Sequence, residues 1–124
     1  MPKRAVTTSE IAPPVGPFSP AVGRDGSLYL SGQVAQDPVS GRLIEGDVAA
    51  QTEQLLRNAA AVLRAGGKSL ADVVRVGVFL TDMADFQAMN VVYARHFDLP
   101  YPARTTVAVS ALPLGARVEM DFLA

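Results

Sequence analysis

The chain has 124 residues, 49% of them apolar and 19% charged, with a net charge of −1. That length suits one ordinary domain (1–124) with one sizeable core, and the composition excludes a disordered chain. The near-neutral balance argues against a protein whose affinity comes from neutralising phosphates, because such proteins show a basic excess or patch.

Taken in chain order, Ala12-Pro13-Pro14-Val15-Gly16-Pro17-Phe18-Ser19-Pro20 cannot be helix, and its prolines lack donors for a central ladder. It reads as an ordered, extended arm or loop. Pro20 to Arg24 and Ser27 to Ser31 flank Asp25-Gly26, a pair preferred in two-residue hairpin turns. Leu28 and Leu30 share one face of the second strand, and Tyr29 and Ser31 the other. Asp37-Pro38 and Ser40-Gly41 mark further turns.

The clearest element is a helix that Asp47 can cap. Val48, Thr52, Leu55, Leu56, Ala59, Val62 and Leu63 recur on it at helical spacing. Gln51, Gln54, Arg57, Asn58 and Arg64 are expected on its wet side. Glu53 and Arg57 form a favourable i,i+4 pair, and Gly66-Gly67 ends the helix. Val73 to Leu80 reads as a strand apolar on both sides, which is usually central and covered on both faces. A second amphipathic helix is predicted from about Met83 to Phe97, with Asp82 at its start and Phe86, Met89 or Asn90, Tyr93 and Phe97 inside. Two strands close the chain. Thr105 to Ser110 alternates, and in Arg117 to Leu123 the side chains of Val118, Met120 and Phe122 oppose those of Arg117, Glu119 and Asp121.

The expected order is therefore β, β-hairpin, α, β, α, β, β. Two helices can cover only one face of such a sheet, so self-association is the economical expectation.

Most catalytic constellations are absent. There are no cysteines and His96 is the sole histidine, which removes disulfides, thiolate nucleophiles and thiolate metal sites; no metal is expected. A nucleophilic triad would need His96, which near a helix C-terminus simply suits the helix dipole. Gly66-Gly67-Lys68 follows a helix instead of opening one, so it is no phosphate loop. No apolar segment follows Met1-Pro2-Lys3-Arg4 as in a signal peptide, and no window approaches the ~20 apolar residues of a membrane span. A soluble cytoplasmic protein is expected.

Arg104 and Glu119, on the last two strands, stand out. A guanidinium binds a carboxylate in bidentate fashion, and a nearby carboxylate can orient or deprotonate a water. Together they could hold and hydrolyse an α-imino acid. The same spacing also fits a cross-strand salt bridge with no chemistry. Arg117 and Asp121 read as a polar sheet face.

The runs Pro102-Ala103-Arg104-Thr105-Thr106-Val107, Ala111-Leu112-Pro113 and Val118-Glu119-Met120 closely resemble the signature of the RidA/YjgF family. Val15-Gly16-Pro17-Phe18-Ser19, Leu30-Ser31-Gly32-Gln33, Val78-Phe79-Leu80-Thr81-Asp82 and Asn90-Val91-Val92-Tyr93 agree in order. The resemblance spans essentially the whole chain. It implies a chorismate-mutase-like α+β fold, a mixed sheet of about six strands with two helices packed on one face, and a homotrimer whose sheets form a central barrel, with ligand sites between subunits. It also implies cofactor-independent hydrolysis of enamines and imines such as 2-aminoacrylate to a 2-keto acid and ammonia, as in a 2-iminobutanoate/2-iminopropanoate deaminase.

On the same resemblance, Arg104 matches the arginine that grips the substrate carboxylate and Glu119 the glutamate associated with the attacking water. Ser31 and Gly32 match pocket positions, and Asn90 matches the rim. Phe18 stands where many members have tyrosine and Thr106 where many have cysteine; both are placed at the substrate site. Two other activities are weighed. A non-enzymatic binder of small carboxylates or 2-keto acids would use Arg104 without a catalytic water. Ribonuclease or translation-inhibitor activity, a label some family members carry, is disfavoured by the charge balance and the lone His96.

Overall fold

A computed structural model describes residues 2–124. At Asp25-Gly26 both residues have positive φ, 52° and 82°, as a type I′ hairpin turn requires. The turn joins β2 (Ala21–Arg24) to β3 (Ser27–Gln33), and β1 (Arg4–Val6) adds to the free side of β2. The proline-rich arm between β1 and β2 forms no strand.

Helix α1 (Val48–Ala65) starts where Asp47 accepts from the Ala50 N–H and ends at Gly66. Beyond it Gly67 takes a positive φ of 80°, while the Gly67 and Lys68 amides close back on Arg64 and Leu63. These are the two bonds of a Schellman cap.

β4 spans Arg75–Leu80, α2 Phe86–His96, β5 Ala103–Ala108 and β6 Val118–Leu123. The sheet has six strands in the order β1-β2-β3-β6-β4-β5. All pairings are antiparallel except β4 with β5. Both helices lie on one face, against Leu28, Leu30, Val76, Val78, Leu80, Val118, Met120 and Phe122, with Leu55, Leu56, Val62, Leu63 and Met89 from the helical side. Five of these helix residues and most of the strand residues are essentially inaccessible to water, so this layer supplies the bulk of the hydrophobic stabilisation.

Several expected boundaries and exposures differ. β4 begins at Arg75, two residues after Val73, because Val74 stands exposed at the sheet end while Val73 turns inward. The second helix begins as a 3-10 turn at Met83–Asp85, capped by Asp82 onto the Ala84 amide, and becomes α-helical at Phe86. β5 starts two residues earlier than expected, at Ala103, and stops at Ala108.

Gln51 and Asn58 are buried, contrary to their expected place on the wet side of α1. Asn58 donates to the Gln36 carbonyl at 2.8 Å and, more weakly, to that of Val34 at 3.4 Å. Gln51 accepts from the Arg117 amide at 2.9 Å. These two amides stitch irregular chain to the helix, where the backbone groups of that chain would otherwise lack partners. His96 does more than sit at a helix end. It bonds Glu53 of α1 at 2.9 Å, and the Glu53 carboxylate also accepts from Arg57 at 3.0 Å.

Asn58→Ala is expected to lower stability by about 1–3 kcal/mol in urea unfolding, since it strands buried carbonyls. A change below a few tenths would place those carbonyls in water.

Candidate active site

Two clefts carry the chemistry-bearing residues, and they do not coincide. On β6, Glu119 lies opposite Phe79 of β4, so it projects from the sheet face away from the helices. The strand beside it is irregular. Leu30 pairs with Phe122 and Gln33 with Met120, so β3 carries one extra residue there, a bulge at Ser31-Gly32. The bulge brings Gly32 against the Glu119 carboxylate so closely that a Cβ at Gly32 would overlap it. Asp121, the next residue on the same face, sits over Gly77 and accepts from its amide at 3.1 Å.

The rim of the Glu119 cleft comes from the arm and from the turn before β6, with Phe18, Val15, Pro113 and Leu114 among its lining residues. Phe18 is fixed by a tight turn, its amide donating to the Gly16 carbonyl at 2.8 Å. Ser31 does not line this cleft. Its hydroxyl donates to the Ser19 carbonyl at 2.6 Å, and its amide to that of Pro20 at 3.0 Å. Ser31 thus fastens the arm beside the bulge, a positioning role in place of the expected wall position.

Burial pushes the Glu119 carboxyl above the usual glutamate range, and the like charge of Asp121 adds to the rise. Among the described residues no cation pairs with Glu119. A half-buried carboxyl raised in this way is better matched to proton transfer near neutral pH than an ordinary one.

Arg104 lies elsewhere. It pairs in register with Val76, and Thr106 with Val78, both of which point into the helix-covered core. Arg104 and Thr106 therefore share the helix-side face of the edge strand β5. The guanidinium carbon sits 4.8 Å from the ring centroid of Tyr93 and 5.7 Å from that of Phe86, within the range of cation–π attraction. Asn90, Tyr93, Ala94, Tyr101, Pro102 and Arg104 line a second cleft. The Asn90 Oδ1 and the Tyr93 hydroxyl are buried in it without hydrogen-bond partners. Burial pushes the Tyr93 phenol up, with the Arg104 charge opposing. Thr106 is not among the residues lining this cleft.

Within one chain the Arg104–Glu119 pair is thus not brought together. The two residues stand on opposite sheet faces, on strands separated by β4, so a cross-strand salt bridge is excluded. Arg117 also leaves the expected polar face. It precedes β6 and donates to Asp85 through Nε and Nη2, at 3.1 and 2.9 Å. Tyr93 is the residue that sequence patterning missed, because its helical spacing matched an ordinary core stripe. Among the described residues no group of three or more His, Asp or Glu could hold a metal, and no helix is long and apolar enough to cross a membrane.

Sequence and fold match one class of proteins. Residues 8–124 match the family model described as Endoribonuclease L-PSP, and the chain belongs to this family, the one also called RidA/YjgF. It is similar to Protein DfrA of Myxococcus xanthus, 44% identical over all of this chain and 96% of that one. It is similar to the human 2-iminobutanoate/2-iminopropanoate deaminase, 38% identical over 98% of this chain and 89% of that one. The crystal structure of RidA from the Antarctic bacterium Psychrobacter sp. PAMC 21119 superposes with a TM-score of 0.93 at 41% identity, covering 97% of each chain.

Gly32→Ala is expected to displace the Glu119 carboxylate and leave the fold intact, since Gly32 is exposed and a carboxylate end can swing. Crystallography of the variant should show Glu119 rotated away from the bulge at nearly unchanged Tm. An unmoved carboxylate would mean the bulge does not set its position.

Proposed function

We propose that the protein is a hydrolytic deaminase of small 2-imino acids and their enamine tautomers. In this proposal it is a cytoplasmic homotrimer whose sites form where the Arg104 cleft of one subunit meets the Glu119 cleft of the next. The observation that carries the proposal is the separation of the two clefts: each holds half of a carboxylate-binding hydrolase and lacks the other half. Relatives near 40% identity named 2-iminobutanoate/2-iminopropanoate deaminase support the reaction class. The helix-free sheet face, where Tyr29 and Val107 stand exposed and Phe79 half-buried, supports self-association as a way to cover it.

Arg104 takes the substrate carboxylate through its planar fork, held ready by the rings of Tyr93 and Phe86. The unpartnered Asn90 Oδ1 and Tyr93 hydroxyl offer further hydrogen bonds at the same cleft. Fixing the carboxylate fixes C2 of the imine beside Glu119. There the ionised carboxyl accepts a proton from water as its oxygen bonds to C2, and the C=N pair moves to nitrogen. The same group then delivers the proton to nitrogen. The carbinolamine so formed gives its hydroxyl proton to Glu119, which passes it to the amine; the oxygen's electron pair closes the C=O bond as the C–N bond breaks, ammonia leaves, and the 2-keto acid remains. An imine is already a good electrophile, so positioning and one proton-transfer group suffice without a cofactor. Phe18 supplies an apolar wall at this point.

The test generates 2-iminopropanoate and 2-iminobutanoate in situ with an amino-acid oxidase and follows their decay. Clear acceleration over buffer is expected, with at least about a hundredfold loss in Glu119→Gln and in Arg104→Ala. No acceleration, or full activity in Arg104→Ala, would contradict the proposal. Tight 2-keto-acid binding without turnover would instead indicate a carboxylate-binding protein.

The pH profile has a defined sign. Glu119 acts ionised and its pKa is raised, so activity falls on the acid side at a pH above the usual glutamate range. Asp121→Asn removes a like charge and is expected to move that limb to lower pH. A limb that stays in place would take Asp121 out of the account.

A further inference from the structure

The two clefts are built on different elements of one chain, and one pair of side chains joins those elements. Phe86, Asn90 and Tyr93 recur at helical spacing on one face of α2. Phe86 and Tyr93 hold Arg104 against their rings, and Asn90 lines the same cleft. Phe86 is the first residue of α2, and Asp85 stands directly before it. Glu119 is the second residue of β6, and Arg117 stands directly before that strand. The Asp85–Arg117 pair therefore ties the start of the helix to the start of the strand. Among the described residues no other side-chain hydrogen bond runs from α2 or its leading turn to β6 or the turn before it.

Arg117 is pinned in three directions. Its amide donates to Gln51 of α1 at 2.9 Å, and its carbonyl accepts from the Thr81 amide at 3.2 Å, just beyond β4. Its guanidinium meets Asp85. The chain before it needs such an anchor. Leu114 and Gly115 both have positive φ, 61° and 72°, and the pairing of β6 with β4 begins only at Val118. Pro113 and Leu114 line the Glu119 cleft, so a fixed Arg117 sets that wall as well as the strand.

Asp85 points the same way. Aspartate is among the most favoured N-cap residues, yet Asp85 occupies the N-cap of α2 without a cap bond and turns its carboxylate to Arg117. That carboxylate is only 11% exposed, and the water it loses offsets most of what the pairing gains. A bidentate fork supplies something else, because two parallel bonds fix distance and orientation together.

We propose that Asp85 and Arg117 are positioning residues, whose paired side chains hold the Arg104 seat on α2 and the Glu119 end of β6 in one fixed relation. The proposal rests on the deaminase reading for what the two clefts do, but not for the coupling itself.

Two readouts test it without turnover. Pyruvate Kd reads the Arg104 cleft, and carboxyl-carbon NMR follows the titration of Glu119. Both are measured well below Tm in Asp85→Asn, Arg117→Met and the double variant. Charge alone makes opposite predictions for the two single variants. Loss of the Asp85 charge would tighten pyruvate binding and lower the Glu119 pKa, and loss of the Arg117 charge would do the reverse.

Positioning moves all three variants in one direction. Pyruvate Kd is expected to rise about threefold or more. Glu119 is expected to titrate lower, nearer the usual glutamate range, as the loosened strand admits water. The double variant leaves net charge unchanged and no buried carboxylate unpaired, so it decides the matter where a single variant does not fold. Shifts of opposite sign in the single variants would overturn the proposal, as would a lowered Tm with both readouts at wild-type values. Absence of imine hydrolysis in the wild type would overturn the deaminase reading alone, since neither readout depends on it.

Discussion

Side chains on a strand alternate between two faces, and strands in register share that alternation. β4 pairs with β5 along one edge and β6 along the other, so its own alternation dictates where both neighbours point. Val76 and Val78 point into the core, which sends Arg104 and Thr106 the same way. Gly77 and Phe79 point outward, which sends Asp121 and Glu119 to the open face. No side-chain rotation can reunite groups that the backbone has assigned to opposite sides. Any chemistry that needs both must draw them from two copies of the chain, and the open sheet face offers the surface through which copies can meet.

The charged groups divide accordingly. Asp85 is buried but meets Arg117 in a bidentate pair, and Glu53 meets His96 and Arg57, which hold its carboxyl below the usual range. Those carboxylates tie elements together. Glu119 has no such partner among the described residues, is raised by burial, and lies beside a like charge that adds to the rise. Its neighbours make room for it instead of neutralising it, since the Gly32 bulge removes the side chain that would occupy the same space. On the other cleft, Arg104 rests on aromatic rings and pairs with no carboxylate among the described residues. A free cation and a free raised carboxyl are what a ligand with a carboxylate and a hydrolysable carbon requires.

Much of this architecture can be read from local pattern. The α1 stripe from Val48 to Leu63, the Asp47 cap, the Asp25-Gly26 turn and the alternation around Val118, Met120 and Phe122 each declare themselves within one element. What could not be read depends on distant partners. Asn58 looks like a surface residue until the Val34 and Gln36 carbonyls, 24 and 22 positions away, arrive beside it. Period-2 spacing shows that Glu119 opposes Met120 and that Arg104 matches Thr106. It cannot relate the two strands, because their relative phase depends on β4 lying between them. For that reason the salt-bridge alternative stayed open in the sequence. The bulge at Ser31-Gly32 was hidden likewise, since an extra residue is visible only against its pairing strand. Whole-chain resemblance supplied the candidate site residues; the structure places Glu119, Gly32 and Phe18 at one cleft and Arg104 and Asn90 at another, leaves Ser31 and Thr106 outside both linings, and adds Tyr93 beside Arg104.

The central claim is that one working site takes Arg104 from one chain and Glu119 from another. Mixing tests it most directly. Arg104→Ala and Glu119→Gln, each inactive alone, are unfolded together in equal amounts, refolded, and assayed for imine hydrolysis. Random assembly of a cyclic oligomer places an intact Arg104 beside an intact Glu119 at about one site in four, so roughly a quarter of wild-type activity is predicted. Activity no higher than that of the separately refolded variants, in a mixture shown by mass spectrometry to contain hybrid oligomers, would contradict a shared site.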